Sequence, residues 1–133
     1  MNSIFADSYY FLAVGNDRDQ GHRRAVDFAN RYVGEIVTTE WVLTEVGDAL
    51  AAPFQRPRFL NLIELIDSDT SWVVVESSHE LFERGVQLYS NRPDKNWSLT
   101  DCMSFVVMEE QGLTEALTAD RHFEQAGFVP LLV

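Results

Sequence analysis

Apolar residues along this chain follow two periods, one typical of buried strands and one of amphipathic helices. Short apolar runs predict strands over residues 3–6, 35–38, 71–75, 116–119 and 128–132. Apolar positions at helical spacing predict helices over 22–33, 40–50, 60–66, 79–88, 99–111 and 121–126. Strands that alternate with helices favour an α/β fold, with a mostly parallel central sheet flanked by helices on both faces.

The segment from Trp97 to Phe105 has a helix start with an acid in its first turn. Ser98 is a good N-cap, and Asp101 lies three residues later, where a carboxylate can accept from free backbone N–H groups. Taken alone, this is a capping box with a structural role.

Other acids follow the ends of predicted strands. Asp7 comes directly after the first strand and Asp120 directly after the fourth. In an open α/β sheet the carboxyl ends of the strands form one rim, where ligands bind. Asp101 joins this rim if its helix starts at the same edge, and Glu45 joins it if its helical turn faces the rim.

Carboxylates that converge in this way cannot all be ionised without a counter-charge, so either their pKa values rise or a cation binds. Oxygen ligands select a hard cation such as Mg²⁺ or Mn²⁺. A cation of this kind activates water for attack on phosphorus, so the acids together predict phosphoryl chemistry.

Each acid also has a structural alternative. Asp7 and Asp120 can be N-caps, Asp101 a capping-box acid and Glu45 a solvated helix residue beside Asp48. The residues alone leave these alternatives open.

The composition restricts which classes of partner the protein can bind. The 133 residues suffice for one domain, and the formal net charge of −11 with a single lysine, Lys95, argues against a broad basic surface. A polyanion would then need local arginines, such as Arg56, Arg58 and Arg92. Alternatively, the acidic surface serves a basic protein partner.

Several other classes of protein and site are disfavoured. No apolar run is long enough for a membrane span, the N-terminus lacks the pattern of a secretion signal, and Cys102 is the only cysteine, so we expect a cytoplasmic protein. The histidines show no zinc spacing, so a structural or surface role is expected for His22, His79 and His122. Cys102 is expected in the core, and no Gly-rich phosphate loop or Gly-x-Ser-x-Gly elbow is present.

Four segments together resemble the PIN-domain ribonucleases, and within them the VapC-like toxins of bacterial toxin–antitoxin pairs. The segments are Phe5-Ala6-Asp7-Ser8, Thr38-Thr39-Glu40-Trp41-Val42-Leu43-Thr44-Glu45, Asp94-Lys95-Asn96-Trp97-Ser98-Leu99-Thr100-Asp101-Cys102 and Leu117-Thr118-Ala119-Asp120-Arg121-His122-Phe123. The resemblance implies one PIN-like nuclease domain over residues 1–133.

The resemblance also implies the site and its partners. Asp7, Glu45, Asp101 and Asp120 match the four acidic metal-site positions, and Ser98 matches the small hydroxyl residue that supports them. The implied activity is Mg²⁺- or Mn²⁺-dependent endonucleolytic cleavage of RNA, by a toxin that pairs with a short antitoxin and forms a homodimer.

Three further residues are accessory candidates: Asp94 and Glu40 lie near the motifs, and Arg121 is a candidate for binding substrate phosphate. With so few cationic side chains, the protein is expected to recognise a structured or looped RNA selectively.

Two other functions compete with this hypothesis. The first is a non-catalytic PIN-like module that binds RNA or protein through its acidic rim. The second is a phosphatase or phospho-acceptor domain, which also places acids on a rim, but the chain lacks a second aspartate two residues after Asp7 and a lysine after the last strands.

Overall fold

A computed structural model describes residues 2–133 and has a five-stranded parallel sheet at its centre. The strands lie in the order β3-β2-β1-β4-β5, and every neighbouring pair is parallel. Their bounds are β1 Ser3–Ala6, β2 Glu35–Thr39, β3 Trp72–Val75, β4 Glu115–Leu117 and β5 Val129–Pro130. The predicted α/β class with a parallel sheet is confirmed.

Seven helices connect these strands. They are α1 Ser8–Val14, α2 His22–Arg31, α3 Glu40–Ala49, α4 Arg56–Ser68, α5 His79–Asn91, α6 Leu99–Glu110 and α7 Arg121–Gln125. No helix within residues 2–133 has the length and apolar character that crossing a membrane requires.

Side-chain caps fix where helices α3, α5 and α6 begin. The hydroxyl of Thr39 accepts a hydrogen bond from Val42 N at the start of α3, and that of Ser78 accepts from Leu81 N at the start of α5. Ser98 and Asp101 form the capping box at the start of α6. These are the first-turn N–H groups that a helix cannot satisfy by itself.

The structure differs from the sequence-based expectation mainly at α1. No helical pattern predicts a helix in the aromatic segment after Asp7, but residues 8–14 are helical and bury Tyr10 and Phe11. Both rings pack against Trp72 of β3, with centroid separations of 6.5 Å and 5.5 Å. Tertiary packing, which local propensity does not register, therefore stabilises a helix of only seven residues. The last strand is also shorter than expected, although it lies at the sheet edge as Pro130 indicated.

Strand β1 and helix α6 form the centre of the core. Ile4, Phe5 and Ala6 are all buried, so both faces of the sheet are covered at this strand. In α6, every residue from Asp101 to Met108 is buried. A helix that is buried on all sides holds its first turn rigidly, and that turn carries Asp101.

The strand order places a topological switch point at β1. The chain moves from β1 to β2 and β3 on one side, and then returns to add β4 and β5 on the other side. Residue Ala6 of β1 pairs with Leu117 of β4, so the segments that follow these strands leave the sheet side by side. This carboxyl edge between β1 and β4 is the place where open α/β sheets bind ligands.

Candidate metal centre

Asp7 follows β1 and is buried at the carboxyl edge of the sheet. Only 5% of its surface is exposed, and its Oδ2 accepts a hydrogen bond of 3.0 Å from Thr118 Oγ1. Its side chain makes no capping hydrogen bond to α1, although the residue occupies the N-cap position. The structural alternative, in which Asp7 serves to cap a helix, therefore lacks the contact it requires.

The pKa of Asp7 is raised from 3.8 to about 7, mainly by burial and also by the nearby charges of Asp101 and Glu45. Hydrogen bonds from the Thr118 side chain and from the backbone N–H of Ser8 oppose this rise. A buried carboxyl close to two other acids is in a position that a cation would stabilise.

Thr118 links Asp7 to the acid that follows β4. Its Oγ1 donates to Asp7 and accepts a hydrogen bond of 3.0 Å from Asp120 N. The carboxylate of Asp120 then accepts a hydrogen bond of 2.9 Å from His122 N, which caps α7. One fully buried hydroxyl thus fixes the relative positions of the two strand-end acids.

Asp101 is held by the reciprocal capping box. Its backbone N donates to Ser98 Oγ at 3.0 Å, and its Oδ2 accepts from Ser98 N at the same distance. The residue is 8% exposed. Ser98 thus fixes the orientation of the Asp101 carboxylate.

Glu45 lies on α3 and is half-buried. Its Oε1 accepts a hydrogen bond of 2.5 Å from Ser8 Oγ, one residue after Asp7. The charge of Glu45 also acts on the Asp7 carboxyl. The Ser8 contact therefore holds the Glu45 side chain at the carboxyl edge of the sheet. A solvated helix residue, which is the structural alternative for Glu45, would lack such a contact.

His122 enters the site, whereas the sequence favoured a structural or surface role. Its Nδ1 lies 3.0 Å from Asp101 Oδ2 and 3.4 Å from Asp120 Oδ1. One signal could have identified it: a strand-end aspartate that caps the next helix brings the residue two positions later against its own carboxylate.

The accessory candidates have other partners. Asp94 forms a two-pronged ion pair with Arg92, and Glu40 accepts hydrogen bonds from the N and Oγ of Ser77. Arg121 is exposed at the first position of α7. Their contacts thus give Asp94 and Glu40 roles outside the acid cluster.

The donor set suits a divalent cation. Asp101, Asp120 and His122 each offer one ligand atom, and these atoms all lie within 4.8 Å of one another. Two carboxylate oxygens and an imidazole nitrogen are ligands for Mn²⁺ and related ions, and the carboxylates also suit Mg²⁺. Asp7 interacts electrostatically with Asp101 and with Glu45, so Asp7 and Glu45 both lie near this group.

Comparison with known proteins gives consistent matches over nearly the whole chain. The family model described as "PIN domain" matches residues 4–129. The 23S rRNA-specific endonuclease VapC20 of Mycobacterium tuberculosis is 27% identical over 126 residues, which are 95% of each chain.

Solved structures have the same fold. The crystal structure of M. tuberculosis VapC20, described as a sarcin–ricin loop cleaving toxin, has a TM-score of 0.86 at 25% identity and covers 95% of this chain and 96% of its own. FitAcB from Neisseria gonorrhoeae has a TM-score of 0.69 at 13% identity, with 96% and 94% covered. DNA-bound VapBC from Salmonella typhimurium has a TM-score of 0.65 at 14% identity, with 98% and 96% covered.

The raised pKa of Asp7 predicts how pH changes the stability of the metal-free protein. Between pH 3.8 and about 7 the folded chain holds a proton at Asp7 that the unfolded chain has released. The contribution of this group to stability therefore falls as pH rises through that window. Asp7→Asn cannot ionise, so we expect the variant to gain stability over wild type by up to a few kcal/mol at about pH 8, and by less at about pH 5.

Urea denaturation in the presence of a chelator at these two pH values measures this effect. Asp67→Asn, at an exposed position of α4, is the matched control and should show no such difference. An equal effect of Asp7→Asn at both pH values would contradict the buried, partly protonated carboxyl.

Proposed function

The chain belongs to the PIN domain family, and from this premise we propose that it is a metal-dependent endoribonuclease. The observation that carries the proposal is the convergence of Asp101, Asp120 and His122 within 4.8 Å, beside the buried Asp7. Such a group of acids at the carboxyl edge of a parallel sheet suits a divalent cation and a phosphodiester.

We propose that Asp7, Asp101 and Asp120 hold the cation and that Glu45 is a further ligand or orients a water molecule. A bound Mg²⁺ or Mn²⁺ would supply an activated water and neutralise the charge that develops on the phosphate. Ser98 fixes Asp101, Thr118 fixes Asp7 and Asp120, and Ser8 orients Glu45. The carboxylates are thus positioned before substrate binds, which lowers the entropic part of the barrier.

The proposed substrate is a structured RNA loop. The relative VapC20 is named as a 23S rRNA-specific endonuclease that cleaves the sarcin–ricin loop, and we extend that class of substrate to this chain. The net charge of −11 supports selectivity, because a strongly acidic protein gains little from non-specific attraction to phosphates.

A small surface in which Arg92 and Lys95 both pair with Asp94 is the proposed contact for the RNA backbone. Arg92 and Lys95 border a surface pocket of about 490 Å³, together with the exposed ring of Tyr89. The Arg92 guanidinium stacks 5.1 Å from the centroid of Trp97, whose Nε1 donates to Gln125 on α7. This surface is therefore anchored to the helix that carries His122.

We further propose that residues 1–133 form one nuclease domain and that the protein is the toxin of a toxin–antitoxin pair. A groove of about 600 Å³ between α1, α3 and α4, lined by apolar side chains that include Phe11, Leu62 and Leu65, supports docking of a protein partner. The partner would be a short antitoxin. Homodimer formation and a cytoplasmic location are further parts of the proposal.

The nuclease hypothesis predicts the behaviour of three proteins. Wild type should cleave an RNA that contains a sarcin–ricin loop when Mg²⁺ or Mn²⁺ is present, and a chelator should abolish cleavage. Asp101→Asn should lose about 100-fold or more in rate, because it removes a proposed ligand. Asp67→Asn, on the exposed side of α4, should cleave like wild type. Gel analysis of end-labelled RNA measures the rates.

Equal activity of Asp101→Asn and wild type would contradict the proposed metal site. Absence of cleavage by pure wild type that binds metal would favour the non-catalytic module.

The surface formed by Arg92 and Lys95 predicts a change in RNA affinity without a change in chemistry. Lys95→Gln and Arg92→Gln should each raise KM by about tenfold and leave kcat unchanged. Each should also lower the slope of log affinity against log salt concentration by about one, which is the loss of one phosphate contact. Arg31→Gln is the matched control. Arg31 ends α2 shortly before the amino end of β2, whereas the proposed metal site lies at the carboxyl ends of the strands. If Arg31→Gln raises KM as much as the other two variants, this surface does not bind the RNA.

A further inference from the structure

We propose that His122 supplies a nitrogen ligand to the metal site and gives it a preference for Mn²⁺ over Mg²⁺. The inference rests on the proposed function only in requiring that the site binds a divalent cation. It concerns which cation binds and which side chain selects it.

The position of the imidazole supports a role as a ligand. Its Nδ1 lies close to two carboxylate oxygens, 3.0 Å from Asp101 Oδ2 and 3.4 Å from Asp120 Oδ1. Neighbouring ligands of an octahedral ion with bonds of about 2.1 Å are separated by about 3.0 Å. The 3.0 Å separation therefore matches neighbouring corners of one coordination sphere, and the 3.4 Å separation is slightly longer than such an edge.

The ring is also held on a rigid element. Asp120 caps α7 by accepting from His122 N, and the next residue, Phe123, is fully buried. The Phe123 ring packs against Phe5 of β1 at 6.3 Å and against Phe105 of α6 at 4.9 Å. The contacts of α7 thus join His122 to the two elements that position Asp7 and Asp101.

The chemistry of the donors sets the expected selectivity. Mg²⁺ prefers oxygen ligands, whereas imidazole is a good ligand for transition metals, whose affinities for N/O sites rise along the series from Mn²⁺. A site of carboxylates alone would discriminate less between these ions. Replacement of one oxygen by a nitrogen should therefore shift the balance towards Mn²⁺.

Mn²⁺ itself is the probe for the first experiment. Pulsed electron paramagnetic resonance of wild type with one equivalent of Mn²⁺ should detect a directly coordinated imidazole nitrogen, and growth on ¹⁵N-histidine should change that signal to the ¹⁵N pattern. The measurement needs no substitution, so it is informative even if a variant folds poorly. Bound Mn²⁺ without a histidine nitrogen signal would overturn the inference and leave the proposed nuclease intact.

Variants provide the second experiment. Calorimetric titration with Mn²⁺ and with Mg²⁺ should show that His122→Gln weakens Mn²⁺ binding about 10- to 100-fold and Mg²⁺ binding by less. His122→Asp, which offers an oxygen at the same place, should restore Mg²⁺ binding relative to Mn²⁺. His79→Gln is the matched control, because His79 is exposed on α5 and pairs with Glu83.

The outcomes separate the two proposals. An unchanged ratio of Mn²⁺ to Mg²⁺ affinity in His122→Gln means that the ring only orients the carboxylates, and the inference fails while the nuclease stands. If wild type binds neither ion and cleaves no RNA, the inference and the proposed function fail together.

Discussion

The arrangement of this site depends on one electrostatic constraint, which is the repulsion among carboxylates at the edge where β1 and β4 lie side by side. Asp7 is almost completely buried there, and the charges of Asp101 and Glu45 act on it. Burial, and after it the charge of Asp101, raises the pKa of Asp7 to about 7. A divalent cation removes the same strain while keeping every carboxylate ionised. The fold thus holds these acids in a state that a cation would stabilise.

The surrounding polar contacts fix this arrangement with few side chains. Thr118 contacts Asp7 and Asp120, the capping box holds Asp101, and Ser8 holds Glu45. Behind them, the buried helix α6 and the ring of Phe123 prevent the acids from moving apart. Rigid support of this kind is what a binding site requires for a fixed geometry.

The sequence predicted the parallel α/β fold and the strand-end positions of Asp7 and Asp120, because strand periodicity and turn residues are local properties. Helix α1 was missed, since its stability comes from contacts of Tyr10 and Phe11 with Trp72, 61 or more positions away. The approach of His122 to Asp101 was not foreseen for a similar reason, because it depends on how α6 and α7 meet. Asp101 and Asp120 come together, Asp7 and Glu45 lie near them, and the role of these four acids as metal ligands stays a prediction.

The central claim, that this edge binds a divalent cation, can be tested most directly by X-ray diffraction from crystals soaked in Mn²⁺, with data collected for anomalous scattering. We expect an anomalous peak at about 2.1 to 2.3 Å from carboxylate oxygens of Asp101 and Asp120. Well-diffracting crystals soaked in millimolar Mn²⁺ at neutral pH that show no anomalous density between these two carboxylates would contradict it.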